Sequence, residues 1–266
     1  MSLITDTFTK LTTFCSPYLR HMGYLNEAIG MRARSRARRS AWQRHLDNTR
    51  KFVLCSARKC EHRGRAVVFG SGLLLDLPLA ALSSLFREIV LLDVVCLPEA
   101  RRKIKQYGNV SFVEYDVTGI AERLYLNRHQ GIRVLPEPET VKLPGPQPDF
   151  VVSLNILSQL WVVPRAFVLR EFPRIEQNRL EAWCSEISAA HYRMLQEMPC
   201  PVCLVADYAF VMRNTTGAVV QKKSTIGSLS LPDADEGWTW LIDPGDKQSD
   251  FVSKELLVGA WIRQAK

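Results

Sequence analysis

The stretch Val67-Val68-Phe69-Gly70-Ser71-Gly72-Leu73-Leu74-Leu75-Asp76 is where the residue types of this 266-residue chain first point to chemistry. Two glycines one residue apart, directly after an apolar β-branched run, let the backbone turn sharply. They also let a ligand approach the main chain, since no Cβ intervenes. Alone, a Gly-x-Gly after a strand is more often only a tight turn. Two acidic residues strengthen it. Asp93 closes the next apolar run, 23 positions after Gly70, the usual place for a carboxylate that accepts both hydroxyls of an adenosine ribose. Asp116 closes the third, in Glu114-Tyr115-Asp116-Val117, where it can meet the exocyclic amine of an adenine. A strand-end Asp otherwise caps a helix or a turn. Three such features at the carboxyl ends of adjacent strands favour a site over coincidence.

These positions need a scaffold that ends its strands side by side. Beyond Gly64, short apolar runs alternate with longer amphipathic ones. The pattern predicts strands over Ala66 to Phe69, Glu88 to Val94, Val110 to Tyr115, Phe150 to Leu154 and Val202 to Ala206. Helices are predicted over Pro78 to Phe86, Glu99 to Tyr107, Ile120 to His129 and Arg174 to Met198. Each strand is apolar throughout rather than at every second residue, as in a parallel sheet covered on both faces. Gly131 to Asp149, with five prolines, reads as an extended loop. Asn214-Thr215-Thr216-Gly217 reads as a turn between Tyr208 to Met212 and Ala218 to Lys222. Trp238 to Ile242 and Leu256 to Ile262 are further strands, separated by the turn Asp243-Pro244-Gly245-Asp246. The expected fold class is α/β: a doubly wound, mostly parallel sheet with an N-terminal helical segment and antiparallel C-terminal strands.

From Arg63 to Asp207 the sequence resembles the class I S-adenosylmethionine-dependent methyltransferases. The resemblance implies that Phe69, Gly70, Ser71 and Gly72 form the loop cradling the methionine part of the cofactor. It implies that Asp93 with Val94 holds the ribose and that Asp116 with Val117 meets the adenine. Phe150-Val151-Val152-Ser153-Leu154-Asn155-Ile156-Leu157-Ser158-Gln159 is similar to the family's fourth-strand motif, which borders the methyl-transfer position and brings in Ser153 and Asn155. Two departures stand out. Val68 occupies the position of an acidic residue and Leu74 that of a third glycine, so the carbonyl of Phe69 or Ser153 is left to hold the cofactor's amino group. These departures keep a second reading open, a non-catalytic descendant that binds the adenosyl ligand or a partner protein. A nicotinamide-binding fold would place its third small residue at Leu75, where a large side chain would separate helix from sheet. A P-loop is excluded, because no Gly-Lys-Ser/Thr follows the first strand.

Methyl transfer from a sulfonium is an in-line displacement that asks chiefly for alignment and a dry site. A base is needed only when the acceptor carries a proton. The candidates at the ends of strands four and five are Asn155, Gln159, Asp207 and Tyr208, with Asn155, Asp207 and Tyr208 expected as catalytic. Trp161 is equally a pocket wall or core. His191, four residues after Ile187 and four before Leu195, shares an apolar helical stripe and reads as a structural histidine. Cys200-Pro201-Val202-Cys203 has no second pair to complete a zinc site, and Cys55, Cys60 and His62 lack zinc-knuckle spacing. No metal is expected, and the seven cysteines read as reduced thiols.

Residues 1 to 65 hold 14 Lys and Arg against four Asp and Glu, a net +10, so the formal +8 of the chain originates there. Arg32, Arg34, Arg36, Arg38 and Arg39 fall in a Gly-poor stretch, Tyr24 to Lys59, that favours helix. Arg32 and Arg36 then lie side by side and repel unless carboxylates or anions lie against them. A face neutralised by the body's acidic residues is the first reading, a nucleic-acid or acidic-lipid surface the second, a cap over an anionic small substrate the third. The chain divides accordingly into a basic helical cap, 1–62, and a Rossmann-like domain, 63–266. Composition, 47% hydrophobic and 23% charged, excludes a disordered chain and a disulfide scaffold. The most apolar stretch, Val67 to Leu82, is interrupted too often to span a bilayer, and no secretory signal pattern opens the sequence, so a cytoplasmic address is expected. The expected acceptor is a small molecule, anionic in preference, with RNA a further candidate partner through the arginine-rich helix.

Overall fold

In the computed structural model, residues 3–139, 142–172, 174–245 and 251–265 are described. β1 (Arg65–Phe69), β2 (Glu88–Asp93), β3 (Val110–Glu114), β4 (Phe150–Leu154) and β5 (Val202–Asn214) run parallel in the order 3-2-1-4-5. β6 (Val219–Ser224), β7 (Glu236–Asp243) and β8 (Phe251–Arg263) extend this sheet antiparallel: β8 pairs β5, β7 pairs β8, and β6 pairs the far end of β5. The continuous apolar runs have a direct cause in two-sided burial. Along β1, Ala66 and Val68 enter one core while Val67 and Phe69 enter the other. β2 divides Ile89 and Leu91 from Val90 and Leu92 in the same way.

Nine helices are described: α1 (Leu3–Thr12), α2 (Pro17–Met22), α3 (Tyr24–Ala37), α4 (Arg39–Arg58), α5 (Leu79–Leu85), α6 (Pro98–Ile104), α7 (Ala121–His129), α8 (Val162–Glu171) and α9 (Gln177–Glu197). α4 places Trp42, Phe52, Val53 and Ala57 in the same core as Ala66 and Val68. Each large side chain buried there stabilises by roughly 1.5–3 kcal/mol. α9 covers the other face with Met194 and Leu195. A third core joins α2, α3, α7, α8 and α9 through Leu19, Ile29, Leu124, Phe167 and Leu180. β1 is central, and the chain proceeds from it to β2 and β3 on one side and to β4 and β5 on the other. The carboxyl ends of β1 and β4 therefore open a crevice at the point of reversal.

Several boundaries differ from the sequence expectation; the last strand begins at Phe251 rather than Leu256, and α6 ends at Ile104 rather than Tyr107. The basic stretch is two helices rather than one, broken at Arg38 (φ −114, ψ 27). α8 follows Trp161 where no helix was expected. β5 is a single strand through Val202–Asn214, with a register shift between Asp207 and Ala209 in place of a break. The last helix begins at Gln177, not Arg174. Of the turn after β7, Asp243 accepts from the Gly245 amide at 3.0 Å, while Asp246 lies outside the described residues.

The arginine run meets carboxylates. Arg32, only 3% exposed, donates to Asp6 at 2.8 Å and Glu99 at 3.0 Å. Arg36 reaches the same Glu99 at 2.9 Å, Arg38 reaches Asp243 at 2.8 Å, and Arg34 pairs with Glu27. No described helix is long and apolar enough to cross a membrane.

Candidate functional site

After β1 the chain turns through Gly70 (φ 77) and Gly72 (φ 47). A Cβ at Gly70 would stand 2.0 Å from Ile156 Cγ2 and 2.8 Å from the Leu154 carbonyl oxygen, so the loop presses against the end of β4. Leu74 is left-handed too (φ 58), a conformation costing a non-glycine residue about 1–3 kcal/mol. Its side chain is buried in the core with α4 and β1 and takes no part in the crevice wall.

The Asp93 carboxylate ties this loop to β2, accepting from the Gly72 amide and from its neighbour Val94, both at 2.7 Å. Burial raises its pKa, and these hydrogen bonds oppose the rise. Asp116 holds the start of α7: one oxygen accepts from the Thr118 amide (3.0 Å) and hydroxyl (2.6 Å), the other from the Ala121 amide (2.8 Å). Both aspartates border a cavity of about 620 Å³, within the range of small-molecule sites. Tyr24 of α3 lines it as well. Its phenol is pushed well above its ordinary value by burial, then by Asp116, Tyr18 and Asp93.

At the end of β4, Asn155 is left-handed (φ 52), and its amide nitrogen donates to Asp76 at 2.7 Å. That amide also stands 3.4 Å from Nε2 of His45 on α4. Trp238 Nε1 approaches the other ring nitrogen, Nδ1, at 3.0 Å. An indole only donates, so Nδ1 accepts and Nε2 bears the ring proton. Burial lowers the His45 pKa to about 3, keeping the ring neutral, and it lies stacked on Trp240 at 3.9 Å. Burial raises the pKa of Asp76.

Asp207 of β5, 2% exposed, is the least exposed charged residue of the wall. One oxygen accepts from the Ser158 hydroxyl at 2.7 Å; the other has no hydrogen-bond partner among the described residues. Burial raises its pKa, and the bond from Ser158 opposes this.

Of the residues singled out from sequence, Phe69, Gly70, Gly72, Asp93, Val94, Asp116, Val117, Asn155, Gln159, Trp161 and Asp207 line this cavity. Ser71 and Ser153 are buried and do not line it. Tyr208 was expected to face the acceptor side and does not: it is the extra residue of the β5 bulge, 39% exposed and outside the wall. His191 is buried behind β4, with Nε2 2.9 Å from the Ser153 hydroxyl, and burial lowers its pKa to about 3. All seven cysteines are free, and no cluster of metal-binding side chains occurs among the described residues. Sequence reasoning missed Tyr24, His45, Lys223, Trp240 and Lys254, all of which line the cavity. None sits in a local motif.

No protein-family model matches the sequence, and no curated protein does. Among solved structures the chain is similar to DhpI in complex with S-adenosylhomocysteine, at 14% identity over 90% of this chain and 95% of that one, with a TM-score of 0.38. It is also similar to the N-methyltransferase NodS from Bradyrhizobium japonicum with the same ligand, at 12% identity over 81% and 87%, TM-score 0.36. A third is the 1,6-didemethyltoxoflavin-N1-methyltransferase of Burkholderia thailandensis, at 11% identity over 86% and 87%, TM-score 0.33. The fold assignment rests on strand order and register, independently of these likenesses.

Proposed function

We propose that this protein transfers a methyl group from S-adenosylmethionine to a small-molecule acceptor. One observation carries the reading: the glycine turn after β1 and the aspartates closing β2 and β3 border the same cavity as Asn155 and Asp207. The cavity residues suit the cofactor. Gly72 leaves the backbone open to close approach, Gly70 lets the turn pack against the end of β4, Asp93 would meet the ribose, and Leu74 keeps the turn without filling the space. Asp116 and Val117 would border the adenine. When bound, the sulfonium supplies an electrophilic methyl group.

The chain's own residues then align and shield. α3 and α4, within the 1–62 segment we assign as cap, bring Tyr24, Met31, Trp42 and His45 over the crevice and exclude water. Asn155, locked through Asp76, positions the acceptor beside β4. Asp207, which lines the cavity, takes the proton that an amine or hydroxyl acceptor must lose, and its raised pKa makes it the stronger base. A small acceptor is favoured over RNA because Arg34, Arg36 and Arg38 each already meet a carboxylate.

Calorimetry with S-adenosylmethionine and with S-adenosylhomocysteine tests this. Saturable one-to-one binding of both is expected, weakened by Asp93→Ala; a chain that binds neither is not a methyltransferase.

A further inference from the structure

We infer that the acceptor end of the cavity takes a planar anion, a small aromatic or conjugated acid. The methyl-transfer reading supplies the reason such a molecule would lie there.

The antiparallel half of the sheet builds this end. Phe210 on β5 is opposite Lys223 on β6 and Leu256 on β8, and Leu256 is opposite Trp240 on β7. Opposed residues share a face, so one row across four strands reads Lys223, Phe210, Leu256, Trp240, and all four border the cavity. Lys254, two positions before Leu256, projects on the same side, with Nζ 4.7 Å above the Phe210 ring.

The polar inventory of this wall leans positive: Lys223 and Lys254 share it with one carboxylate, Asp207, whose charge Lys254 helps offset. Among the described residues neither lysine forms an ion pair, and the acidic side chains nearest in register, Asp243 and Glu255, are taken by Arg38 and Arg213. The Nε1 of Trp42 donates to the Ile242 carbonyl and that of Trp238 to His45, but buried Trp240 Nε1 has no partner. Two ammonium groups therefore border one aromatic surface, while the unmet indole N–H of Trp240 is enclosed within the wall. Oxygens of a carboxylate-like group would form charge-assisted hydrogen bonds with Lys223 and Lys254. A flat ring would lie against Phe210 and the side of Trp240 that His45 does not cover, whereas Lys223 and Lys254 disfavour a cationic acceptor.

The test titrates benzoate, 4-hydroxybenzoate and indole-3-carboxylate, each against its carboxamide, into the full-length protein by calorimetry, with and without saturating S-adenosylhomocysteine. At least one acid is expected to bind roughly tenfold tighter than its amide, with a preference that shrinks as salt is raised. Lys254→Met should erase that preference and Lys223→Met should reduce it, each variant being checked for its fold by thermal melting. Equal affinity of acids and amides, or no acid bound by a protein that does bind S-adenosylhomocysteine, overturns the inference. Acid binding without any binding of S-adenosylhomocysteine would uphold it and overturn the cofactor reading instead.

Discussion

Gly70 has no room for even a methyl group. Gly70→Ala must displace Ile156 or the Leu154 carbonyl as well as hold a left-handed φ, whereas the Cβ of Gly72→Ala meets nothing nearer than 3.9 Å and pays only for conformation. The first substitution is expected to cost about 1–3 kcal/mol more than the second and to weaken S-adenosylhomocysteine binding by over roughly tenfold. Thermal melts and calorimetry on the pair check this, and equal effects would mean that backbone conformation alone matters at the turn. Asp207 offers a different handle. Its folded pKa lies above its unfolded one, so its favourable contribution is present at low pH and is lost as pH rises through the raised value. Asp207→Asn should therefore stabilise the fold at pH 8, by about 1–3 kcal/mol, and leave it unchanged at pH 3, while turnover falls. Urea midpoints at the two pH values decide.

Among the elements, α3 owes its buried ion-pair network to a single side chain. Arg32 joins it to Asp6 of α1 and Glu99 of α6, and α3 in turn carries Tyr24 and Met31 to the cavity. Both carboxylates are about one-third exposed, so solvent screens the pairs and Arg32→Met is expected to cost roughly 1–3 kcal/mol rather than the larger penalty of a fully buried pair. A lowered urea midpoint together with faster proteolysis in residues 24–58 would bear this out, and unchanged proteolysis would detach Arg32 from the placement of α3. The neighbouring ion pairs bear on nucleic acid. With Arg34, Arg36 and Arg38 engaged, single-stranded RNA should bind no tighter than the roughly 10⁻⁴–10⁻⁶ M of non-specific association at physiological salt. Filter binding across a salt series measures it.

For the molecule as a whole, acid is the informative stress. His45 and His191 are both neutral down to about pH 3, while the unfolded chain protonates them near their ordinary value of 6.5. Stability is therefore lost as pH falls between those values, and the raised carboxylates Asp76, Asp93 and Asp207 pull the opposite way. His191→Gln isolates the first trend: its urea midpoint should decline less than that of the wild type between pH 6.5 and pH 4. The parallel strands were legible in the sequence because burial on both faces demands unbroken apolar runs such as Ala66 to Phe69 and Phe150 to Leu154. Gly70, Asp93 and Asp116 were legible as candidates because each follows such a run, and strands that run parallel end on the same side. Sequence periodicity carried no trace of the bulge that turns Tyr208 out, since register arises from pairing with β8, nor of the left-handed turn at Leu74. Nor did it reveal the far wall. Tyr24 and His45 reach the cavity from helices before β1, and Lys223, Trp240 and Lys254 from strands after β5, so their meeting depends on contacts between segments distant in the chain, which leave no local pattern to read.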